Sequence, residues 1–135
     1  MSNDRSIEEI REQKMKELQE GSENESNNGT PTEPVYIDGQ SELTETFGTH
    51  KVVLVDFYAD WCGPCQMLEP VVKDVAAETD AAVAKVDVDT NQRLAREYGV
   101  QGVPTLILFA DGEPVERLVG VQSKEALIDV VGQYS

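Results

Sequence analysis

The residues of this chain best suited to covalent chemistry are its two cysteines, Cys62 and Cys65, which lie in the sequence WCGPC at positions 61–65. Two thiols at this spacing suit half of a zinc site, a structural disulfide, or a dithiol that is oxidised and reduced in turn. A structural zinc normally needs four ligands, and the single histidine, His50, precedes an extended run that separates it from the cysteines by about 25 Å. A disulfide that encloses two residues restrains little of the unfolded chain. Redox chemistry is therefore the favoured use, and we expect no bound metal.

The sequence around the cysteines favours a reactive first thiol. Cys62 falls where a predicted buried strand gives way to a helix, so unpaired backbone N–H groups and the positive end of the helix dipole favour its thiolate. Pro64 occupies an early helical position, where its missing N–H costs little. We therefore expect an exposed, reactive sulfur at Cys62 and a shielded one at Cys65, one turn further on. Trp61 would supply an apolar surface against which a peptide docks.

Hydrophobic patterning predicts the elements that position these thiols. The run KVVLVDFYA is nearly continuous and rich in β-branched residues, as in a strand buried on both faces. A DG pair between two later apolar runs predicts a hairpin. In chain order the prediction comprises strand 34–38, helix 41–48 closed by Gly48, strand 51–59, helix 62–79, strand 81–89, helix 91–99 closed by Gly99, strands 105–110 and 113–120, and helix 123–134. This order predicts an α/β fold in which a central mixed β-sheet, with right-handed crossovers, is flanked by helices on both faces.

The first part of the chain differs in kind from the rest. A Ser-x-x-Glu capping box begins a short predicted helix at residues 6–20, and residues 21–34 have the composition of a flexible linker. We therefore expect an acidic N-terminal extension at 1–33, made of a short helix and a linker, and a single folded domain at 34–135.

The charge of the chain is strongly negative. Acidic residues number 26 and basic residues 11, which gives a formal net charge of −15. Such a field repels nucleic acid and anionic membranes, so we expect neither as a partner. Neither a bilayer-spanning apolar run nor a secretory signal is visible, which favours a cytoplasmic protein. The excess of carboxylates favours a halophilic one, because in molar salt the Debye length falls to about 3 Å and self-repulsion is screened.

Four segments of the sequence resemble thioredoxins: VDFYADWCGPC, KVDVDTN, YGVQGVPTLILF and DGEPVERLVG. The resemblance spans about residues 35–135 and implies the thioredoxin fold and a protein-disulfide reductase. It implies that Cys62 is the nucleophile and Cys65 the resolving thiol. It also places the family's buried carboxylate at Asp56 and the lysine partner of that carboxylate at Lys85. Burial should raise the pKa of Asp56 and make it a base for Cys65, although a purely structural ion pair is the alternative.

The same resemblance implies a substrate groove beside the cysteines. Pro104 matches the family's cis-proline, and the Val103 backbone would pair with an extended substrate segment. The other residues expected in the groove are Trp61, Gly63, Pro64, Gly102, Gly120 and Val121. Two positions depart from many relatives, since Gln66 replaces a lysine near the thiols and Tyr58 replaces a tryptophan.

The resemblance finally implies the partners. A thioredoxin reductase would reduce the dithiol again, the substrates would be proteins that contain disulfides, and the chain would act as a monomer without a bound cofactor. Two alternatives stay open: a more oxidising disulfide isomerase and a non-catalytic binding subunit on the same scaffold. A reduction potential of about −270 mV would indicate the reductase, and one of about −180 to −120 mV the isomerase. Turnover with a disulfide substrate would distinguish the reductase from the binding subunit.

Overall fold

The computed structural model describes residues 30–135. The predicted extension at 1–33, with its expected helix and most of its linker, lies almost wholly outside the described residues. In chain order the elements are β1 (Val35–Tyr36), α1 (Gln40–Thr49), β2 (Val52–Tyr58), α2 (Gly63–Glu78), β3 (Ala82–Asp87), α3 (Gln92–Glu97), β4 (Thr105–Ala110), β5 (Glu113–Val119) and α4 (Lys124–Gly132). No helix in this described part is long and apolar enough to cross a bilayer.

A five-stranded mixed sheet lies at the centre of the fold, with the strand order β1-β3-β2-β4-β5. β1 and β2 are each parallel to β3, whereas β4 runs antiparallel to β2, and β5 runs antiparallel to β4. In this register Asp56 of β2 lies opposite Lys85 of β3 and Leu106 of β4. The central position of β2 accounts for its apolar sequence, because both of its faces and both of its edges are covered.

Helices cover both faces of the sheet, as predicted. On one face a buried cluster joins Leu54 to residues of α2 and to Leu127 of α4. On the other face a second cluster includes Leu43 of α1 and Leu94 of α3. Successive side chains of a strand point to opposite faces, so Asp56 shares the face of Leu54 and lies beneath α2.

The first helix differs from the prediction at its C-terminal end. A stop at Gly48 is predicted, but α1 continues through this glycine to Thr49. The helix ends because His50 adopts an extended conformation, with φ −126° and ψ 135°, and leads almost directly into β2. Gly99 does behave as predicted, since its φ of 68° closes α3. The first strand is shorter than predicted and contains only two residues.

The last two strands form the predicted hairpin at the edge of the sheet. Asp111 and Gly112 have φ values of 53° and 81°, which is the pattern of a type I′ turn. A β-bulge lies in β5 next to Pro114, because Leu108 pairs with Glu116 and Phe109 with Pro114, which leaves Val115 without a partner on β4. The hairpin therefore closes the sheet with an irregular outer strand.

Candidate functional site

The two cysteines lie at the N-terminal end of α2. Cys62 is the N-cap residue, with extended backbone angles, and Cys65 lies in the first turn. A disulfide bond joins them, and their Cα atoms are 5.2 Å apart. The backbone N–H of Cys65 donates to Cys62 Sγ over 3.1 Å. After reduction this N–H and the positive end of the helix dipole would face a Cys62 thiolate, so the geometry on which the predicted activation depends is present.

The prediction that the first sulfur is exposed is wrong for the disulfide form. Both cysteines are only 4% exposed. Cys62 Sγ lies 3.7 Å from the backbone oxygen of Val103, and Ala59 and Val88 also pack against the disulfide. Val103 is distant in sequence from the cysteines, so its cover over the sulfur is a tertiary contact that local sequence does not indicate.

Trp61 presents the apolar surface that the sequence predicts. Its side chain is 71% exposed, and its indole N–H donates to Asp89 Oδ2 over 2.9 Å. Gly63 and Pro64 follow in the first turn of α2, and both are exposed. The hydrogen bond to Asp89 fixes one edge of the indole ring, so the open surface beside the disulfide is held in place.

A loop on the other side of the disulfide brings together the remaining groove residues. The Val103–Pro104 peptide bond is cis, as predicted. The backbone N–H of Gly120 donates to the carbonyl of Pro104 over 2.9 Å, which places the end of β5 beside this loop. Gly102 and Val121 are both exposed. A cavity of about 130 Å³ lies between Trp61, Gly102 and Val103. Of the residues predicted for the groove, the structure brings Trp61, Gly102 and Val103 to this cavity, and it joins Pro104 to Gly120 by a hydrogen bond.

Asp56 is the buried carboxylate beneath α2, and it is only 1% exposed. Neither of its oxygens has a hydrogen-bond partner within residues 30–135. Lys85 Nζ lies 3.8 Å from Asp56 Oδ2, which is the expected pairing. Burial raises the pKa of Asp56 to about 6, because the nearby Lys85 charge offsets only part of the cost of burying a carboxylate. The carboxyl group thus changes its protonation state close to neutral pH.

Lys85 also contacts a second carboxylate, which the sequence analysis missed. Glu69 Oε1 lies 2.5 Å from Lys85 Nζ, closer than Asp56 does. The Tyr36 hydroxyl donates to Glu69 Oε2 over 3.4 Å. One signal was available in the sequence, since Glu69 follows Cys65 at i+4 and must lie on the same side of the helix. The contact with a lysine of β3 was not available, because it depends on how α2 packs on the sheet.

A small polar cavity connects these groups with the second cysteine. It has a volume of about 140 Å³, and Cys65, Glu69 and Lys85 all contribute to its lining. The ammonium group of Lys85 lies 4.3 Å from the centre of the Tyr58 ring, at the same cavity. Gln66 lines it too and donates to the carbonyl of Asp60, so the position that is lysine in many relatives contributes no charge here. A cavity of this size and polarity can hold water.

Dithiol chemistry at a helix N-terminus, on a mixed sheet covered by helices on both faces, defines the class as thiol–disulfide oxidoreductases. The family model for thioredoxin matches residues 34–133 of the chain. A thioredoxin of Mycobacterium tuberculosis is 50% identical over 96 residues, which is 70% of this chain and 83% of that protein. A bifunctional thioredoxin reductase/thioredoxin of Mycobacterium leprae is 46% identical over 96 residues, which is 70% of this chain and 21% of that protein.

The solved structures agree with the sequence relatives. A mutant thioredoxin from Halobacterium salinarum NRC-1 is 61% identical, with a TM-score of 0.78 over 80% of this chain and 96% of that one. The chain belongs to the thioredoxin family and has its fold. It is a protein-disulfide reductase, as the resemblance implied.

Proposed function

We propose that the chain reduces substrate disulfides in two exchange steps with distinct roles for its cysteines. In the first step the Cys62 thiolate attacks the substrate disulfide, the substrate S–S bond breaks, and the departing sulfur takes up a proton. In the second step Cys65 loses its proton to Asp56 and attacks Cys62 Sγ, which breaks the mixed disulfide and expels the second substrate sulfur as a thiolate. This thiolate takes up the proton that Asp56 accepted, and the proton on the first departing sulfur comes from solvent. The substrate gains two electrons and two protons, and the chain is left with the Cys62–Cys65 disulfide.

The asymmetry between the two sulfurs is the observation that carries this assignment. Cys62 is the helix N-cap, and its Sγ accepts the backbone N–H of Cys65. Cys65 lies inside the first turn and lines the polar cavity instead. A thiolate at Cys62 therefore has a built-in donor, whereas Cys65 needs a base before it can attack.

Asp56 is the group best suited to be that base. It is buried and lacks hydrogen-bond partners among the described residues, and its pKa of about 6 makes it mostly ionised, yet able to bind a proton, at neutral pH. Lys85 lines the cavity with Cys65 and lies 3.8 Å from Asp56. We assign Lys85 to the stabilisation of the ionised form of Asp56.

We assign substrate binding to the opening beside the disulfide. An extended substrate segment would pair with the Val103 backbone and lie against Trp61, whose exposed ring supplies apolar area. The other residues of this surface are Gly63, Pro64, Gly102, Pro104, Gly120 and Val121. Exposed backbone at Gly102 gives an incoming strand access without a side chain in the way.

Replacing Cys65 with serine tests the order of the two steps. The variant, reduced and mixed with a protein disulfide such as insulin, is expected to accumulate a covalent adduct, because a serine hydroxyl cannot resolve the mixed disulfide. The adduct is measured as a mass shift on a non-reducing gel and by mass spectrometry, and it should disappear with dithiothreitol.

The matched control is Cys62→Ser, which keeps one thiol at the other position. It is expected to form little adduct under the same conditions. If Cys62→Ser traps substrate as well as Cys65→Ser does, the two sulfurs have equivalent roles and the proposed order is wrong.

We propose that a thioredoxin reductase returns the chain to its dithiol form. The Mycobacterium leprae relative carries both names in one protein, which supports this pairing. Because the dithiol itself carries the electrons, the chain needs no further cofactor. We also propose that it acts as a monomer.

We further propose that the chain works in a cytoplasm with molar salt. The net charge of −15 and the likeness to a Halobacterium protein support this setting. The melting temperature is expected to rise by about 5 °C or more between dilute buffer and about 2–3 M KCl, because salt screens the repulsion among carboxylates. Calorimetry against KCl measures the effect, with sucrose as a non-ionic control for general solvent exclusion. Equal melting temperatures in dilute and molar KCl would exclude the halophilic assignment.

A further inference from the structure

The ammonium group of Lys85 lies near two carboxylates but is closer to one of them. It lies 2.5 Å from Glu69 Oε1, within hydrogen-bond distance, but 3.8 Å from Asp56 Oδ2. Asp56 has no hydrogen bond to any group of residues 30–135, whereas Glu69 has bonds from both Lys85 and Tyr36. Within residues 30–135 Lys85 is the cation paired with Asp56, and its ammonium group lies closer to Glu69 than to Asp56.

Burial and two tyrosine rings hold the Lys85 side chain in this position between the carboxylates. Its side chain is 1% exposed, and its ammonium group lies 4.3 Å from the Tyr58 ring centre and 5.7 Å from that of Tyr36. Among the described residues that line the cavity, Lys85 is the only cation. No other positive charge there can replace it, so the balance between the carboxylates rests on this one group.

The ionisable groups around Asp56 come from three elements. β3 contributes Lys85, which lowers the pKa of Asp56, and α2 contributes Glu69, which raises it. α2 also contributes Cys65 to the shared cavity. Tyr58 stays protonated, because burial raises its pKa to about 12, and the residue that β4 places opposite Asp56 is an uncharged leucine. Glu69 and Lys85 therefore dominate the local field.

We propose that Glu69 is a positioning residue that draws the Lys85 ammonium away from Asp56 and thereby keeps Asp56 able to take up and release a proton during turnover. This inference rests on the proposed role of Asp56 as a base. If Lys85 bonded directly to Asp56, the carboxylate would stay ionised and would be a weaker base towards the Cys65 thiol. Glu69 is 42% exposed, so it holds the lysine from the solvent side of the cavity without being buried as a second charge.

The test is the titration of Asp56 in the variant Glu69→Gln, followed in the oxidised protein by carbon-13 NMR of the side-chain carboxyl. Glutamine keeps the shape of the side chain but removes the charge that competes for Lys85. The titration midpoint of Asp56 is expected to fall from about 6 to about 5, since the lysine then turns to Asp56 and a negative charge is lost. Glu69→Asp, which keeps the charge on a shorter side chain, should give an intermediate midpoint.

The matched control is Glu78→Gln in the same helix. Glu78 pairs with Lys124 on the surface over 3.1 Å, so the net charge changes equally, but the Asp56 cluster is untouched. Its Asp56 midpoint should match that of the wild type. A midpoint that is unchanged or raised in Glu69→Gln would overturn the inference.

The rate of turnover distinguishes the effect of Glu69 on Lys85 from the proposed role of Asp56 as a base. The acid limb of the pH–rate profile is expected to move to lower pH in Glu69→Gln, and this movement should vanish in the Asp56→Asn background. If the midpoint moves in Glu69→Gln but Asp56→Asn leaves the rate of wild-type turnover unchanged, the base role of Asp56 is wrong, while the effect of Glu69 on Lys85 stands.

Discussion

Replacing Cys62 with serine is expected to lower the disulfide reductase activity by about 10³-fold or more, to the background rate. The reason is the position of the residue: its sulfur is the atom that the Cys65 N–H and the helix N-terminus stabilise as an anion. A serine hydroxyl at the same place stays protonated near neutral pH and cannot carry the exchange. Reduction of insulin, followed by turbidity with a dithiol as electron donor, measures the loss.

The fold of this variant should be intact, which makes the loss interpretable. Serine is a favoured N-cap residue and can accept the same backbone N–H, so α2 keeps its first turn. Thermal melts of the reduced wild type and of Cys62→Ser are therefore expected to agree closely. Retention of the wild-type rate by a folded Cys62→Ser would remove the basis for assigning the nucleophile to this residue.

Replacing Asp56 with asparagine is expected to stabilise the oxidised protein by about 3 kcal/mol at pH 8. The folded state raises the pKa of Asp56 to about 6, so between about pH 4 and pH 6 it binds more protons than the unfolded state. The contribution of Asp56 to stability is therefore most favourable at low pH and is lost as the pH rises through this window. Asparagine removes the buried charge, and Lys85 keeps Glu69 as its partner.

Urea denaturation of the oxidised proteins at several pH values measures this effect. The difference between Asp56→Asn and wild type should be near zero at pH 4 and reach its full size above pH 7. Asp129→Asn, on the exposed face of α4, is the control for loss of one carboxylate and should change stability little at any pH. A destabilised Asp56→Asn at pH 8 would show that the Lys85 pairing outweighs the cost of burial.

The same substitution should slow turnover while it stabilises the fold. Without a carboxylate at position 56, Cys65 loses its base, and the resolving step at pH 7 is expected to slow by about tenfold or more. Opposite effects on stability and activity are typical of a buried charge kept for function.

Much of the fold follows from sequence periodicity and turn chemistry. The apolar run of β2, the Asp111-Gly112 turn and the stop at Gly99 each depend on local rules, and the structure confirms all three. Gly48 shows the limit of such rules, because a glycine closes a helix only where the following chain needs a left-handed residue. Here the extended path into β2 ends α1 instead.

The site could be predicted only in part, for a related reason. Residues near the thiols in sequence, such as Trp61, were identified from the pattern, and Asp56 and Pro104 from the resemblance. The burial of Cys62 depends on Val103, and the hold on Lys85 depends on Glu69. Both are contacts across elements, set by how a helix or loop packs on the sheet. The roles assigned to these residues remain predictions until the variants are measured.

The outer strand of the hairpin has a consequence for crowded, salty solutions. Dense negative charge keeps protein molecules apart in dilute buffer, but that protection fades when ions screen it. The proline in β5 and the bulge next to it interrupt the row of backbone hydrogen-bonding groups with which a strand from a neighbouring molecule would pair. This protection against edge-to-edge aggregation is steric and conformational, so it persists at salt concentrations where electrostatic repulsion does not.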